Sequence, residues 1–441
     1  MSDDSRHEAT DPFERAKALF FAGIGHFEAG RFDAAEQAFA ESLALVPGRA
    51  STLANLGAAR TRLGRWRDAL DALDQAVALE PGDVDAESHR GIALAALGRH
   101  ADALASHARV LAIDPARIAN RLRRAQALVA LGRHAAALDD LDEVLRRQPQ
   151  HADAHFQRGG LLQFLERHDE ALAAYEQALA CDPTLGAAWS QRGSILRDMQ
   201  RLDEAGVSFE QAIANGADPA LNRYFLASVT GRGAPATAPP AYVEPFFDEY
   251  ADAFESHLLD GLHYEAHTTL VRGLNGLEGR RFRAALDLGC GTGLCGPLVA
   301  PIADAVDGVD LSRNMLEKAR RRGVYRHLVH AEIAEHLQRT DLRYDLVLAA
   351  DVFIYIGDLE AVFGGMRRVL DRGGIACFSV EVADDDRTFQ LLPSLRYAHA
   401  ERYLRELAAR HAFAARQFLR RPLREDQRRP VPGLFVYLEA T

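Results

Sequence analysis

The chain reads as two architectures in series: an α-solenoid of paired helices, then an α/β domain with a seven-stranded, mostly parallel sheet. Three observations predict this. Prolines at 47, 81, 115, 149 and 183 stand 34 residues apart, and a fixed period of that kind marks stacked helix pairs. From residue 284 onward, apolar runs of strand length alternate with helical patterns, which argues for a parallel sheet with helices on both faces. The first of these runs ends in Leu286-Asp287-Leu288-Gly289-Cys290-Gly291-Thr292-Gly293, a strand running into a glycine loop.

The repeats occupy residues 16–229, after a polar tail at 1–15. Twelve residues before each proline stands alanine: Ala35, Ala69, Ala103, Ala137 and Ala171, with Ala205 for the last unit, whose Pro219 slips by two. Small residues Gly23, Gly57, Gly91, Ala125, Gly159 and Gly193 keep the register, as do the mostly bulky Phe39, Leu73, His107, Leu141, Tyr175 and Phe209. Small positions let two helices cross closely, bulky ones fill the gap, and proline ends the second helix. The pattern resembles six units of the tetratricopeptide repeat, followed by a capping helix at 221–229. A stack of this kind carries a concave groove. The polar ladder Asn55, His89, Arg123, Gln157 and Gln191 is a candidate lining for a protein or peptide partner, while Arg90, Arg124, Arg158 and Arg192 either join it or pair with carboxylates on neighbouring helices.

Residues 230–241 are poor in bulky side chains and rich in glycine and proline, which predicts a linker that extends rather than folds. The second half follows at 242–441. Phe246 to Leu274 is helical in pattern, and the strands fall at 284–288, 305–309, 328–331, 344–350 and 374–381, with a final antiparallel pair near 412–419 and 433–439.

Glycines after the first strand let backbone approach a ligand closely, because no Cβ intervenes and positive φ costs little. Helix N-terminal amides then face that ligand, and Asp310, ending the second strand, can accept both hydroxyls of a ribose. Gly291-Thr292-Gly293-Leu294-Cys295-Gly296 also fits the dinucleotide pattern. Asp287, just before the loop, weighs against it, since a carboxylate repels a pyrophosphate and welcomes a sulfonium or an amine. With Val309-Asp310-Leu311-Ser312 and Asn314-Met315-Leu316-Glu317-Lys318-Ala319, this half resembles the class I S-adenosylmethionine-dependent methyltransferases, Rossmann-like in fold. The resemblance implies S-adenosyl-L-methionine as cofactor, met by Asp287, Gly289, Cys290, Gly291, Gly293, Asp310, Leu311 and Met315, with Glu332 on the adenine amino group.

Methyl transfer is an in-line displacement that needs alignment more than a triad or a metal, so no metal site is expected. Asp351 ends the fourth strand as a catalytic candidate or, alternatively, as a helix N-cap. Phe247 to Leu258, Ala350 to Leu359, Leu395 to Leu404 and Pro430 to Leu434 resemble bacterial methyltransferases fused to tetratricopeptide repeats. That likeness implies a lid from Tyr250 and Phe254 and an acceptor pocket from Tyr355, Arg396, Tyr397, His399 and Tyr403. His399 is the general-base candidate because imidazole titrates near neutrality.

A formal net charge of −11 repels nucleic acid on average. No apolar run reaches the roughly 20 residues of a membrane helix, and the four cysteines show neither metal nor disulfide spacing. A cytoplasmic protein is expected. Methyl transfer with repeats that recruit the acceptor is the leading expectation, against an interaction scaffold whose second half only senses a ligand and, more distantly, an oxidoreductase.

Overall fold

The computed structural model describes residues 11–441 apart from 253, 275–279, 385 and 427–428, and apart from the side chains of Glu249, Tyr250 and Asp426. The chain forms two compact units, Met1–Ala188 and Trp189–Thr441.

In the first unit the 34-residue period becomes helix pairs such as Ala50–Arg62 with Trp66–Leu79 and Ala152–Phe164 with His168–Cys181. Pro47, Pro81, Pro115, Pro149 and Pro183 each stand two residues beyond a helix ending at Leu45, Leu79, Ile113, Arg147 or Cys181. The small positions sit where helices cross: a Cβ on Gly57 would lie 2.4 Å from Leu73 Cγ, and one on Gly159 would lie 2.6 Å from the Tyr175 ring. His107 fills the same place against Gly91. Burial pushes its imidazole down to about 4, so it packs as a neutral ring, and the Asn120 side chain donates to its Nδ1 at 3.1 Å. The arginine ladder is structural: Arg90, Arg124 and Arg158 bond Asp74, Asp140 and Asp142 of adjacent helices at 2.5, 2.5 and 2.8 Å.

The second unit takes up the end of the repeat array as well as the α/β part. Leu202–Ala214 and the capping helix Pro219–Thr230 belong to it. Tyr224 of the cap donates its hydroxyl to the Leu395 carbonyl at 2.5 Å, and its ring lies 5.5 Å from that of Tyr242 and 6.2 Å from that of Tyr397. The 230–241 stretch is bound as well. Ala236 accepts from the amides of Gly357 and Asp358 at 2.8 and 2.9 Å, Ala238 donates to the Tyr355 carbonyl at 2.9 Å, and Pro235 accepts from the Tyr397 hydroxyl at 2.8 Å. Backbone groups and two tyrosines make these contacts, so a composition without bulky side chains does not leave the segment free.

Strands β1 (Ala285–Leu288), β2 (Val306–Asp310), β3 (His327–His330), β4 (Tyr344–Ala349), β5 (Leu370–Val382), β6 (Phe389–Leu391), β7 (Tyr397–His399), β8 (Phe413–Asp426) and β9 (Arg429–Ala440) form one sheet. The order β3-β2-β1-β4-β5-β9-β8 reproduces the expected seven, parallel through β5, with β9 antiparallel between β5 and β8. Two short strands were not expected: β7 pairs with the last two residues of β5, and β6 pairs with β7. Alternate residues enter two cores, Leu286, Leu288 and Val347 on one face and Ala285, Leu346 and Leu348 on the other, as a sheet covered on both sides requires. The helical pattern from Phe246 to Leu274 is broken into Pro240–Tyr250, Phe254–Ser256, a π-turn His257–Gly261 and Ala266–Leu274. Among the described residues no helix is long and apolar enough to cross a membrane.

Candidate active site

A cavity opens beyond the carboxyl ends of β1, β2, β3 and β4, where open α/β sheets place ligands. The glycine loop forms one wall, and its three glycines do different things. Gly289, at φ +63°, lets Val352 close on it, for a Cβ there would lie 2.2 Å from Val352 Cγ2. Gly293 lies off the cavity and is small because the Tyr325 ring and the helix Arg313–Arg321 press on it. Gly291, at φ +55°, lines the cavity, and nothing stands within 4 Å of where its Cβ would be.

Asp310 lines the cavity at the tip of β2. Its Oδ2 accepts from the Gly291 amide at 2.8 Å and its Oδ1 from the Ser312 amide at 2.9 Å. Ser312 caps the next helix through Met315, and its hydroxyl donates to Asp248 Oδ1 at 2.5 Å. Asp252 to Lys318 at 2.9 Å and Glu255 to Arg322 at 2.6 Å continue the row. The segment at 240–256 is thus tied down over the β2 turn, and its Pro240, Val243, Phe247 and Phe254 line the cavity. Phe254 falls where a lid was expected; the side chain of Tyr250 lies outside the described residues.

Leu311, Met315 and Glu332 line the cavity too. Glu332 also caps the helix Ile333–Arg339, accepting from the Glu335 amide at 2.8 Å. Asp287 and Cys290 do not reach the cavity. The buried Asp287 accepts from the Tyr325 hydroxyl at 2.7 Å, and burial, opposed by that bond and reinforced by Asp310, pushes its carboxyl up to about 7. Cys290 packs with Leu316 and Ala319, and burial holds its thiol well above the usual range.

Asp351 and Tyr355 line the wall beyond β4. Asp351 is not a helix cap: the cap position of the turn Phe353–Tyr355 is Val352. Its backbone has φ +57°, its amide donates to Ser379 Oγ at 2.8 Å, and its Oδ2 accepts from Arg424 Nη1 at 2.6 Å. Arg424 also donates to Glu381. Asp351 Oδ1 is buried with no hydrogen-bond partner among the described residues. Tyr355 packs edge-on to Phe247 at 5.4 Å, and burial pushes its hydroxyl up to about 12.

His399 is placed elsewhere. It is fully buried in β7, its Nε2 donates to the carbonyls of Ile356 and Gly357 at 2.9 and 3.1 Å, and burial pushes it down to about 4. A neutral ring spent on two carbonyls away from the cavity is a brace for the 356–357 turn. Tyr397 and Tyr403 serve the same turn region, Tyr397 through Pro235 and Tyr403 by accepting from the Leu359 amide at 3.0 Å and donating to Asp358 at 3.1 Å. Neither they nor Arg396 line the cavity. Conversely, Thr237 and Ala238 do, and Arg424 supports it from a strand far along the chain. The backbone bridge between Thr237 and Ile356 leaves no side-chain signature, and Arg424 sits among many arginines, so neither was legible beforehand.

Residues 286–378 match the methyltransferase-domain family, and 55–118, 122–186 and 161–222 match the tetratricopeptide repeat. A malonyl-[acyl-carrier protein] O-methyltransferase of Enterobacter lignolyticus is 32% identical over 155 residues, 32% of this chain and 59% of that protein. A ubiquinone biosynthesis O-methyltransferase of Alkalilimnicola ehrlichii is 31% identical over 113 residues, 24% of this chain and 43% of that protein. The chain spans about three fifths of the length of the first of these. A solved magnesium protoporphyrin IX methyltransferase from Synechocystis with bound SAH aligns at 16% identity and a TM-score of 0.37 over 46% of this chain and 99% of its own. The chain therefore carries tetratricopeptide repeats followed by an S-adenosylmethionine-dependent methyltransferase domain.

Proposed function

We propose that the protein transfers a methyl group from S-adenosylmethionine to an acceptor that its repeats recruit. The observation that carries this reading is the open space at Gly291 beside Asp310. A cradle that a Cβ would fill, next to a carboxylate, suits a ribose; Leu311, Met315 and Ile333 with Glu332 suit an adenine and its amino group. Gly289, Gly291, Asp310, Leu311, Met315 and Glu332 are the residues we assign to the donor. Asp287, Cys290 and Gly293 act behind them, holding the loop in shape. When bound, the donor supplies a methyl on a sulfonium, and the wall from Asp351 to Tyr355 faces the acceptor. The O-methyltransferase activities of the two relatives make oxygen the acceptor atom in our reading.

In the polar ladder Asn55 and His89 are bonded within their own helices, and Gln157 bonds Asp153 of its own helix and accepts from Gln126 of the helix Ile118–Ala130. Arg123 has no hydrogen bond or ion pair among the described residues, and burial lowers its guanidinium. A cation left over in this way supports an acidic segment of a protein as the recruited partner. The four cysteines are free, which accords with a cytoplasmic setting.

Calorimetric titration of the full chain with S-adenosylmethionine, its demethylated product and NAD tests the donor assignment. The first two should bind and NAD should not; tighter binding of NAD would refute it. Incubating a lysate with radiolabelled donor then identifies the fraction that receives the methyl group.

A further inference from the structure

The described residues that line the cavity include three carboxylates, Asp310, Glu332 and Asp351, and no lysine, arginine or histidine. On the acceptor side Arg424 is already committed to Asp351 and Glu381 and has a side chain only 1% exposed, and Arg396, whose charge acts on Tyr355 and Glu381, lies outside the cavity lining. Asp351, which lines the cavity and is nine-tenths buried, has one oxygen that no protein group satisfies among the described residues. Around the same wall stand Phe247, Phe254 and Tyr355, with Phe247 5.4 Å from Tyr355 and 6.1 Å from Phe254. A buried acceptor atom without a partner costs stability unless something donates to it, and like charges placed together suppress the wrong partner.

We propose that the acceptor is an uncharged hydroxyl on an apolar or aromatic body, not a carboxylate, and that Asp351 accepts its proton. This rests on the reading of the cavity as the methyl-donor site. The oxygen–carbon bond forms as the sulfur–carbon bond breaks, the bonding pair stays on sulfur, and the hydroxyl proton passes to Asp351 Oδ1, from which it exchanges with water. Before transfer, the same hydroxyl satisfies the orphaned oxygen. A carboxylate would meet Asp351 with no cation among the described lining residues to neutralise either.

The test uses the full chain saturated with S-adenosylhomocysteine, titrated calorimetrically with 4-propylphenol and with 4-propylbenzoate. The phenol should bind at least roughly tenfold more tightly, as like-charge repulsion in a partly dry site dictates. In Asp351→Asn the gap should shrink to under about threefold; asparagine tolerates the positive φ, so the fold should hold. Equal or tighter binding of the benzoate, no binding of either probe, or an undiminished gap in Asp351→Asn overturns the proposal. Should that variant fail to bind S-adenosylhomocysteine, the two probes on the unaltered chain decide alone. Failure of the unaltered chain to bind S-adenosylhomocysteine would instead remove the donor reading on which the proposal stands.

Discussion

The Asp310 carboxylate accepts a hydrogen bond from the amide of Gly291 at 2.8 Å, so the acid at the tip of β2 shapes the glycine loop that follows β1. One side chain both faces the cavity and holds the opposite wall in place. Burial raises its carboxyl, while the backbone amides of Ser312, Gly291 and Leu311 pull the other way.

Asp310→Ala should therefore weaken donor binding by about 1.5 to 3 kcal/mol, the scale of charge-assisted hydrogen bonds, with turnover at saturating donor unchanged. Titration calorimetry beside steady-state kinetics reads both quantities. Lost turnover with intact donor affinity would place Asp310 outside the donor site.

Gly291→Val and Gly293→Ala should separate occupancy from packing. A valine at 291 projects into the cavity and adopts a positive φ that costs about 1–2 kcal/mol, so donor binding should vanish while the fold persists. At Gly293 the added methyl meets the Tyr325 ring at 2.9 Å and the Ala319 backbone at 3.2 Å. That variant should lose thermal stability first. Normal affinity in Gly291→Val would contradict the assignment.

Asp287 titrates near 7 in the folded chain against about 4 for an ordinary carboxylate. The folded state holds its proton longer than the unfolded one, so this group's contribution is full below about pH 4 and is lost as pH rises through about 7. Asp287→Asn keeps a partner for the Tyr325 hydroxyl and removes the titration. Its melting temperature, relative to the unaltered chain, should rise between pH 4 and 8, and a flat difference would mean that Asp287 is already ionised in the fold.

Truncation tests where the catalytic unit begins. A chain starting at Ala241 loses Thr237, Ala238 and Pro240 from the cavity wall, together with the Ala236 carbonyl that two amides use. It should bind the donor more weakly than the full chain, whereas a chain starting at Trp189, which keeps the cap and its Tyr224 bond, should match it. Equal affinity of both truncations would show that the 235–240 segment is dispensable.

Local pattern was enough for much of this protein. The 34-residue period, with its prolines and its small-against-bulky pairs, specifies helix pairs through steric fit between near neighbours in sequence, and the strand–glycine loop–helix unit is equally local. The order of the seven main strands and the cavity positions of Gly289, Gly291, Asp310, Leu311, Met315, Glu332, Asp351 and Tyr355 follow from such units. What side chains do once buried depends on partners far along the chain. His399 could have been a base until β7 paired with β5 and turned its ring onto two carbonyls; Asp351 could have been a helix cap until Arg424, 73 residues on, took one of its oxygens. The stretch at 230–241 carries almost no hydrophobic signal, and its place in the cavity wall is set by backbone hydrogen bonds to the 355–358 turn, groups that every sequence possesses and only tertiary structure brings together.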